Sequence, residues 1–142
     1  NPTAIGQVIL ETKDVGAGTF GTTSVTATDP GSGIQSTIKF TQLVTVPIFF
    51  EIVIHELPGF SITSAASITA AMLAFINSLG IGEDVYYNWT LAVASLGSTT
   101  FVVTSLKQGL SAGSVGTADI PIAYNQAASV VAANILITTD NP

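Results

Sequence analysis

The chain has 142 residues, 47% of them apolar and 8% charged, against roughly 25% charged in an ordinary soluble domain. Its three basic residues, Lys13, Lys39 and Lys107, are scattered and its formal charge is −6, which excludes a nucleic-acid-binding role because phosphate contacts need clustered cations. No cysteine is present, so there is neither a disulfide framework nor thiolate chemistry, and 19 Thr and 13 Ser must cover much of the surface with neutral hydroxyls, a surface suited to burial against partners.

In chain order, residues 7–12, 22–28 and 35–43 are short Thr- and Val-rich runs separated by Asp14-Val-Gly-Ala-Gly18 and Asp29-Pro-Gly-Ser-Gly33. Gly, Pro and Asp supply the positive or preset φ that turns need, so these runs predict a small antiparallel meander. Residues 48–56 predict the clearest strand, with Ile48, Phe50, Ile52 and Ile54 alternating with Phe49, Glu51, Val53 and His55. The surrounding apolar stretch is interrupted by Thr45, Pro47, Glu51 and His55, far short of the ~20 unbroken apolar residues that span a bilayer. No basic segment followed by an apolar core is present, so no signal peptide is expected, and the start at Asn1 without Met suggests a processed or trimmed polypeptide.

Pro58-Gly59 ends the strand, after which Ser61 or Thr63 caps a helix with Ile68, Met72, Phe75, Ile76 and Leu79 on one face and Gly80 as a left-handed stop. Asn88 predicts the cap of a second helix, with Trp89, Val93 and Leu96 on one stripe and Gly97 at its close. Residues 101–106 predict a strand, 109–116 a mobile Gly/Ser loop, with 108–116 flexible when free and able to order on a neighbour, 119–123 a short strand and 133–138 a closing strand. The sum is an α+β fold: an N-terminal antiparallel β-meander over 1–46, then over 47–142 a β-α-α-β-β-β unit with two helices on one face of a mostly antiparallel sheet.

Each chemical candidate has a plainer structural role. His55, the sole imidazole, has no nucleophile motif nearby and is a half-exposed strand residue. Glu83 and Asp84 are adjacent, lack the spacing of a Ca²⁺ loop and read as a helix-to-strand connector whose carboxylates are solvated or cap the following backbone, so no metal or cofactor is expected. Gly16-Ala-Gly-Thr-Phe-Gly21 matches G-x-G-x-x-G but opens a strand rather than a helix, which is the wrong context for a nucleotide. Asn88-Trp89-Thr90 matches a glycosylation sequon at a helix start. Tyr86, Tyr87 and Trp89 form an aromatic cluster suited to anchoring a partner, stacking on a sugar or packing in the core.

From Pro47 onward the sequence resembles a known family. An apolar strand behind a proline (Val46-Pro47-Ile48-Phe49-Phe50-Glu51-Ile52-Val53-Ile54), Gly59, a helix ending Phe75-Ile76-Asn77-Ser78-Leu79 and then Gly80-Ile81-Gly82-Glu83-Asp84-Val85-Tyr86 are similar to the C-terminal region of baseplate J-like proteins. These are wedge components of contractile-tailed bacteriophages and phage-tail-like particles. Ile120-Pro121-Ile122-Ala123-Tyr124-Asn125-Gln126 and Asn134-Ile135-Leu136-Ile137 look like the family's closing strands, so the resemblance covers about two thirds of the chain. The family-like motif residues are Gly80, Gly82, Glu83, Asp84 and Val85. One departure is Leu96-Gly97-Ser98-Thr99-Thr100-Phe101, where the family usually has a turn containing proline.

The resemblance implies a structural virion protein without an active site or cofactor. Its partners would be other baseplate and tail proteins and copies of itself in a ring-like assembly, with no nucleic acid, membrane or small-molecule substrate. Assembly would take place in the bacterial cytoplasm. The alternative is a secreted or surface β-rich adhesion or fibre module that binds glycan through Tyr86, Tyr87 and Trp89; a small hydrolase using Glu83 or Asp84 ranks third.

Overall fold

In the computed structural model, which describes residues 1–14 and 16–140, the chain divides into two compact units, 1–43 and 44–142. In the first, the Asn1 side chain accepts from the Thr3 N–H at 3.0 Å and Pro2 stands at the first helical position, so one orphan donor is satisfied and φ is preset. Helix α1 (Pro2–Thr12) follows and packs on a hairpin of β1 (Thr23–Thr28) and β2 (Gln35–Phe40). Asp29 closes the hairpin turn, accepting from the Ser32 hydroxyl at 2.6 Å and N–H at 2.7 Å. The Ser32 hydroxyl, then its N–H, hold the Asp29 carboxyl below its ordinary pKa.

The expected meander is therefore a helix on a two-stranded hairpin, and residues 7–12 are helical rather than the first strand. The cap at Asn1 starts the helix well before the β-branched Val8-Ile9 pair, and tertiary contact does the rest. Gly6 is the buried residue of α1, and a Cβ there would overlap the Val25 side chain, so glycine alone lets the helix rest on β1. Gln7 then clasps the end of that strand, donating to the Thr28 carbonyl at 2.8 Å and accepting from its N–H at 3.2 Å. Of the first expected turn, Val15 lies outside the described residues.

The second unit opens with β3 (Val44–Pro47), which pairs in parallel with β7 (Gln126–Ser129); most of β3 thus lies within the expected 1–46 segment but is bonded to the far end of the chain. Pro47 has no N–H to continue the ladder, and the next donor, Ile48, bonds the Ser129 carbonyl at 2.8 Å. β4 (Phe49–Glu56) then lies second from the edge of a four-stranded sheet, ordered β6-β5-β4-β8, with β5 (Phe101–Ser111), β6 (Ser114–Gly116) and β8 (Ile135–Thr139). The β4–β5 and β5–β6 pairs are antiparallel and β4–β8 is parallel, so the fold is α+β with a mostly antiparallel main sheet, as expected.

The period-2 pattern of β4 separates its faces: Phe50, Ile52 and Ile54 are buried, while Phe49, Glu51, Val53 and His55 are half-buried. Against the buried face pack α2 (Thr63–Ser78), through Ile68, Met72 and Ile76, and α3 (Tyr87–Ser95), through Thr90 and Ala94. These fall at i, i+4 and i+8 on α2 and i, i+4 on α3, the stripe a helix turns toward a core.

Several boundaries differ from expectation. α2 ends at Ser78 with Leu79 extended (φ −63, ψ 141), so Gly80 is not a left-handed cap; its N–H is taken instead by the Glu83 carboxylate at 2.7 Å. α3 starts at Tyr87, with Tyr86 and not Asn88 at the cap position; it closes through Leu96 and Gly97, both left-handed (φ 51 and 59). The expected loop 109–116 is the hairpin of β5 and β6. It curls over Gly109, where a Cβ would overlap the Ser114 carbonyl oxygen. The expected strand 119–123 reduces to an antiparallel bridge of Ile120 with Val85, because Pro121 lacks a donor and the Ile122 N–H goes to Asp84 at 2.8 Å.

Candidate functional site

The run from Gly80 to Val85 joins α2 to α3, and its polar groups are turned onto the backbone around it. Glu83 accepts from Gly80 N–H, and Asp84 Oδ1 accepts from Ile122 N–H. Gly82, at φ +73, donates to the Gln126 carbonyl at 2.8 Å, and a Cβ on it would press on Tyr124 Cα. Val85, fully buried, exchanges two 3.0 Å bonds with Ile120. Gly80, Gly82, Glu83, Asp84 and Val85 thus form a buckle that fastens the α2–α3 connection to residues 118–126, with both carboxylates engaged by N–H groups.

Asp119, which no sequence motif singles out, completes the buckle: its Oδ1 accepts from the Tyr87 N–H at 2.8 Å and caps α3 from a distant segment. Asp119→Ala is expected to lower stability by about 1 kcal/mol, the usual effect of losing a helix cap, with Asp119→Asn retaining most of it; urea titrations of the two variants measure the difference.

Beneath the buckle lies Gln108, 3% exposed. Its amide nitrogen donates to the Val85 carbonyl at 3.1 Å and the Ala118 carbonyl at 3.0 Å, and its oxygen accepts from the Thr90 hydroxyl at 2.9 Å. One side chain therefore ties β5 to the connector, to residue 118 and to α3. The sequence places Gln108 in the flexible 108–116 segment; β5 instead runs past 106, and its inward-facing positions change phase at a bulge, from Phe101 and Val103 to Leu106 and Gln108, so a simple alternation does not reveal it.

The buckle divides the aromatic cluster. Tyr87 is half-buried and packs against the core, whereas Tyr86 and Trp89 are 39% and 47% exposed. Three residues apart, one at the cap position and one in the first turn of α3, they are neighbours, and their rings meet at 4.6 Å with 64° between planes. The arrangement is a preformed apolar projection on a rigid base, the character of an interface anchor.

His55 lies elsewhere, on the half-exposed face of β4. Its Nδ1 is 2.9 Å from Asp140 Oδ1, and the Thr104 hydroxyl donates to Asp140 Oδ2 at 2.8 Å. A nucleophile would have to face the imidazole; the hydroxyl here bonds the carboxylate instead. The Thr104 hydroxyl, and then His55, hold the Asp140 carboxyl below its ordinary pKa. A depressed folded value means this contribution is fully present above the unfolded value of about 3.9 and is lost as pH falls through the folded one. Asp140→Asn is expected to be less stable than the parent at pH 6, with the difference closing toward pH 3 in urea titrations.

Among the described residues no three metal-binding side chains cluster, and no helix is long and apolar enough to cross a membrane. No known family model matches the sequence, and no curated protein matches it.

Proposed function

We propose that this chain is a structural, non-catalytic virion protein that works through protein–protein contacts as a baseplate wedge component of a contractile phage tail or tail-like particle. The observation that carries the reading is the buckle: its carboxylates hold backbone N–H groups rather than a reacting centre, and what it presents to solvent is the Tyr86–Trp89 pair. The resemblance of residues 47–96, 120–126 and 134–137 to baseplate J-like proteins points to that assembly, and the low charge suits a subunit buried among neighbours. Its partners are other tail proteins and copies of itself.

Mass spectrometry of purified tail particles, with antibody labelling, is expected to find the chain at the distal end of the tail; its absence from any particle would sink the proposal. In such particles Trp89→Ala is expected to weaken association about 30-fold, the effect of losing a hot-spot aromatic worth about 2 kcal/mol, while circular dichroism remains that of the parent. The glycan-binding adhesion module is the second reading. Because the two rings meet at an angle rather than coplanar, they offer no broad flat platform; glycan-array binding that disappears in Trp89→Ala would nevertheless move that reading to first place.

A further inference from the structure

On the face of the main sheet away from the helices, a pocket of about 250 Å³ is walled by Phe49 and Leu136 of adjacent strands, by Ala112 and Val115 of the β5–β6 hairpin, and by Asn134. The hairpin forms its wall because it curls over Gly109, which pairs with Phe49. The volume is below the about 300–1,000 Å³ of sites that enclose drug-sized molecules, and it suits a single inserted side chain.

One charge lines this apolar pocket: Glu51, half-buried on β4. Among the described residues no hydrogen bond or ion pair reaches its carboxylate. The cation nearest in register is Lys107, directly across on β5 and so on the same face, yet exposed and outside ion-pair distance. Residues 44–142 hold six carboxylates and this one lysine, so the surrounding field favours a cation.

We propose that this pocket receives a basic side chain, arginine in preference to lysine, from a partner protein. The aliphatic stem packs on Leu136 and Val115, the guanidinium lies over Phe49 and its N–H groups face the Glu51 carboxylate. Arginine is preferred because its planar, weakly hydrated head stacks on aromatic rings and bonds carboxylates in a bidentate manner. β8 supplies a reason for the source to be a polypeptide: it is an edge strand paired on one side only, and an extended segment has backbone groups to offer it. Lys107 acts as a weak internal competitor for Glu51. This inference stands apart from the tail-assembly reading, which rests on the Tyr86–Trp89 surface and the family resemblance.

The test is an NMR titration of the intact chain, following the methyl signals of Ala112, Val115 and Leu136, with n-butylguanidinium, its neutral isostere n-butylurea and the blocked tripeptide acetyl-Ala-Arg-Ala-amide. Expected are saturable shifts with butylguanidinium, at least tenfold weaker binding of butylurea, and tripeptide binding at least as tight as that of butylguanidinium. Glu51→Gln, isosteric and half-exposed, should weaken the cation at least tenfold, and Lys107→Met should tighten it severalfold. The proposal is overturned if the guanidinium shifts none of these methyls, if butylurea binds equally well, if Glu51→Gln leaves binding unchanged, or if the tripeptide is excluded while the free guanidinium enters. Should Glu51→Gln fail to fold, Val115→Arg, which places a guanidinium at the pocket wall, is expected to abolish the shifts, and unchanged shifts overturn the proposal equally.

Discussion

Gln108→Glu is expected to destabilise the second unit by about 3–5 kcal/mol at pH 7, the range for leaving a buried charge uncompensated. In the parent, the amide nitrogen donates to the Val85 and Ala118 carbonyls at 3.1 and 3.0 Å; in the variant, a carboxylate oxygen would face those same two acceptors. Burial and both carbonyl dipoles disfavour the ionised form, so the folded pKa of the new carboxyl rises above the unfolded value of about 4.3. The sign follows: the penalty is absent below that value and grows as pH rises through it, by up to about 1.4 kcal/mol per pH unit, until the folded value is passed. At pH 4 the protonated acid restores one of the two donated bonds, and about 1–3 kcal/mol of destabilisation should remain for the other. Urea titrations of variant and parent at both pH values, read by Trp89 fluorescence, give the comparison. Equal destabilisation at the two pH values would mean that Gln108 acts by shape alone.

The second large effect is expected at Gly6→Val. The buried Gly6 touches the Val25 side chain and lies near Ile38, and any Cβ there overlaps Val25. Overpacking of this kind costs about 1–3 kcal/mol. The first unit has 43 residues, no disulfide and, among the described residues, Ala27 and Ile38 as its buried apolar side chains, a size at which a domain has little stability to lose. Loss of α1 from the hairpin is therefore expected, not a small shift. Circular dichroism should fall by the contribution of the 11-residue helix. All tyrosines and the tryptophan lie beyond residue 85, so the Trp89 fluorescence transition should keep its midpoint. Retention of the full helical signal would show that β1 yields to make room.

Where one element's residues decide its own environment, the sequence was legible. The alternation of Phe50, Ile52 and Ile54 with Phe49, Glu51, Val53 and His55 is the observed burial of β4, and Ile68, Met72 and Ile76 are the buried stripe of α2. The hairpin of β1 and β2 around Asp29-Pro-Gly-Ser-Gly33 was equally readable, since its turn is closed by Asp29 and Ser32 within four residues of each other. Of the candidate site, the Gly80–Trp89 run was visible as a connector carrying aromatic residues, but it joins two helices rather than a helix and a strand, and its carboxylates bond the preceding Gly80 and the distant Ile122 rather than the backbone that follows them.

What remained hidden depends on partners distant in the chain. α3 is capped by Asp119, 32 residues away, so inspection of its own start pointed to Asn88. α2 stops where Glu83 takes the Gly80 N–H, which removes the need for a left-handed glycine. The 7–12 segment carries a β-branched pair, but its helical state is decided by the cap before it and the fit of Gly6 on Val25. Gln108 and the pocket over Glu51 exist because β5 runs to Ser111 and its hairpin folds back over Gly109. The sequence by itself determined the α+β class, the central strand and the faces of its helices, because hydrophobic periodicity is a local property fixed by side-chain direction. Tertiary structure alone decided the caps, the buckle and the pocket, because each is a polar group or a void whose partner is set by which distant segments the core brings together.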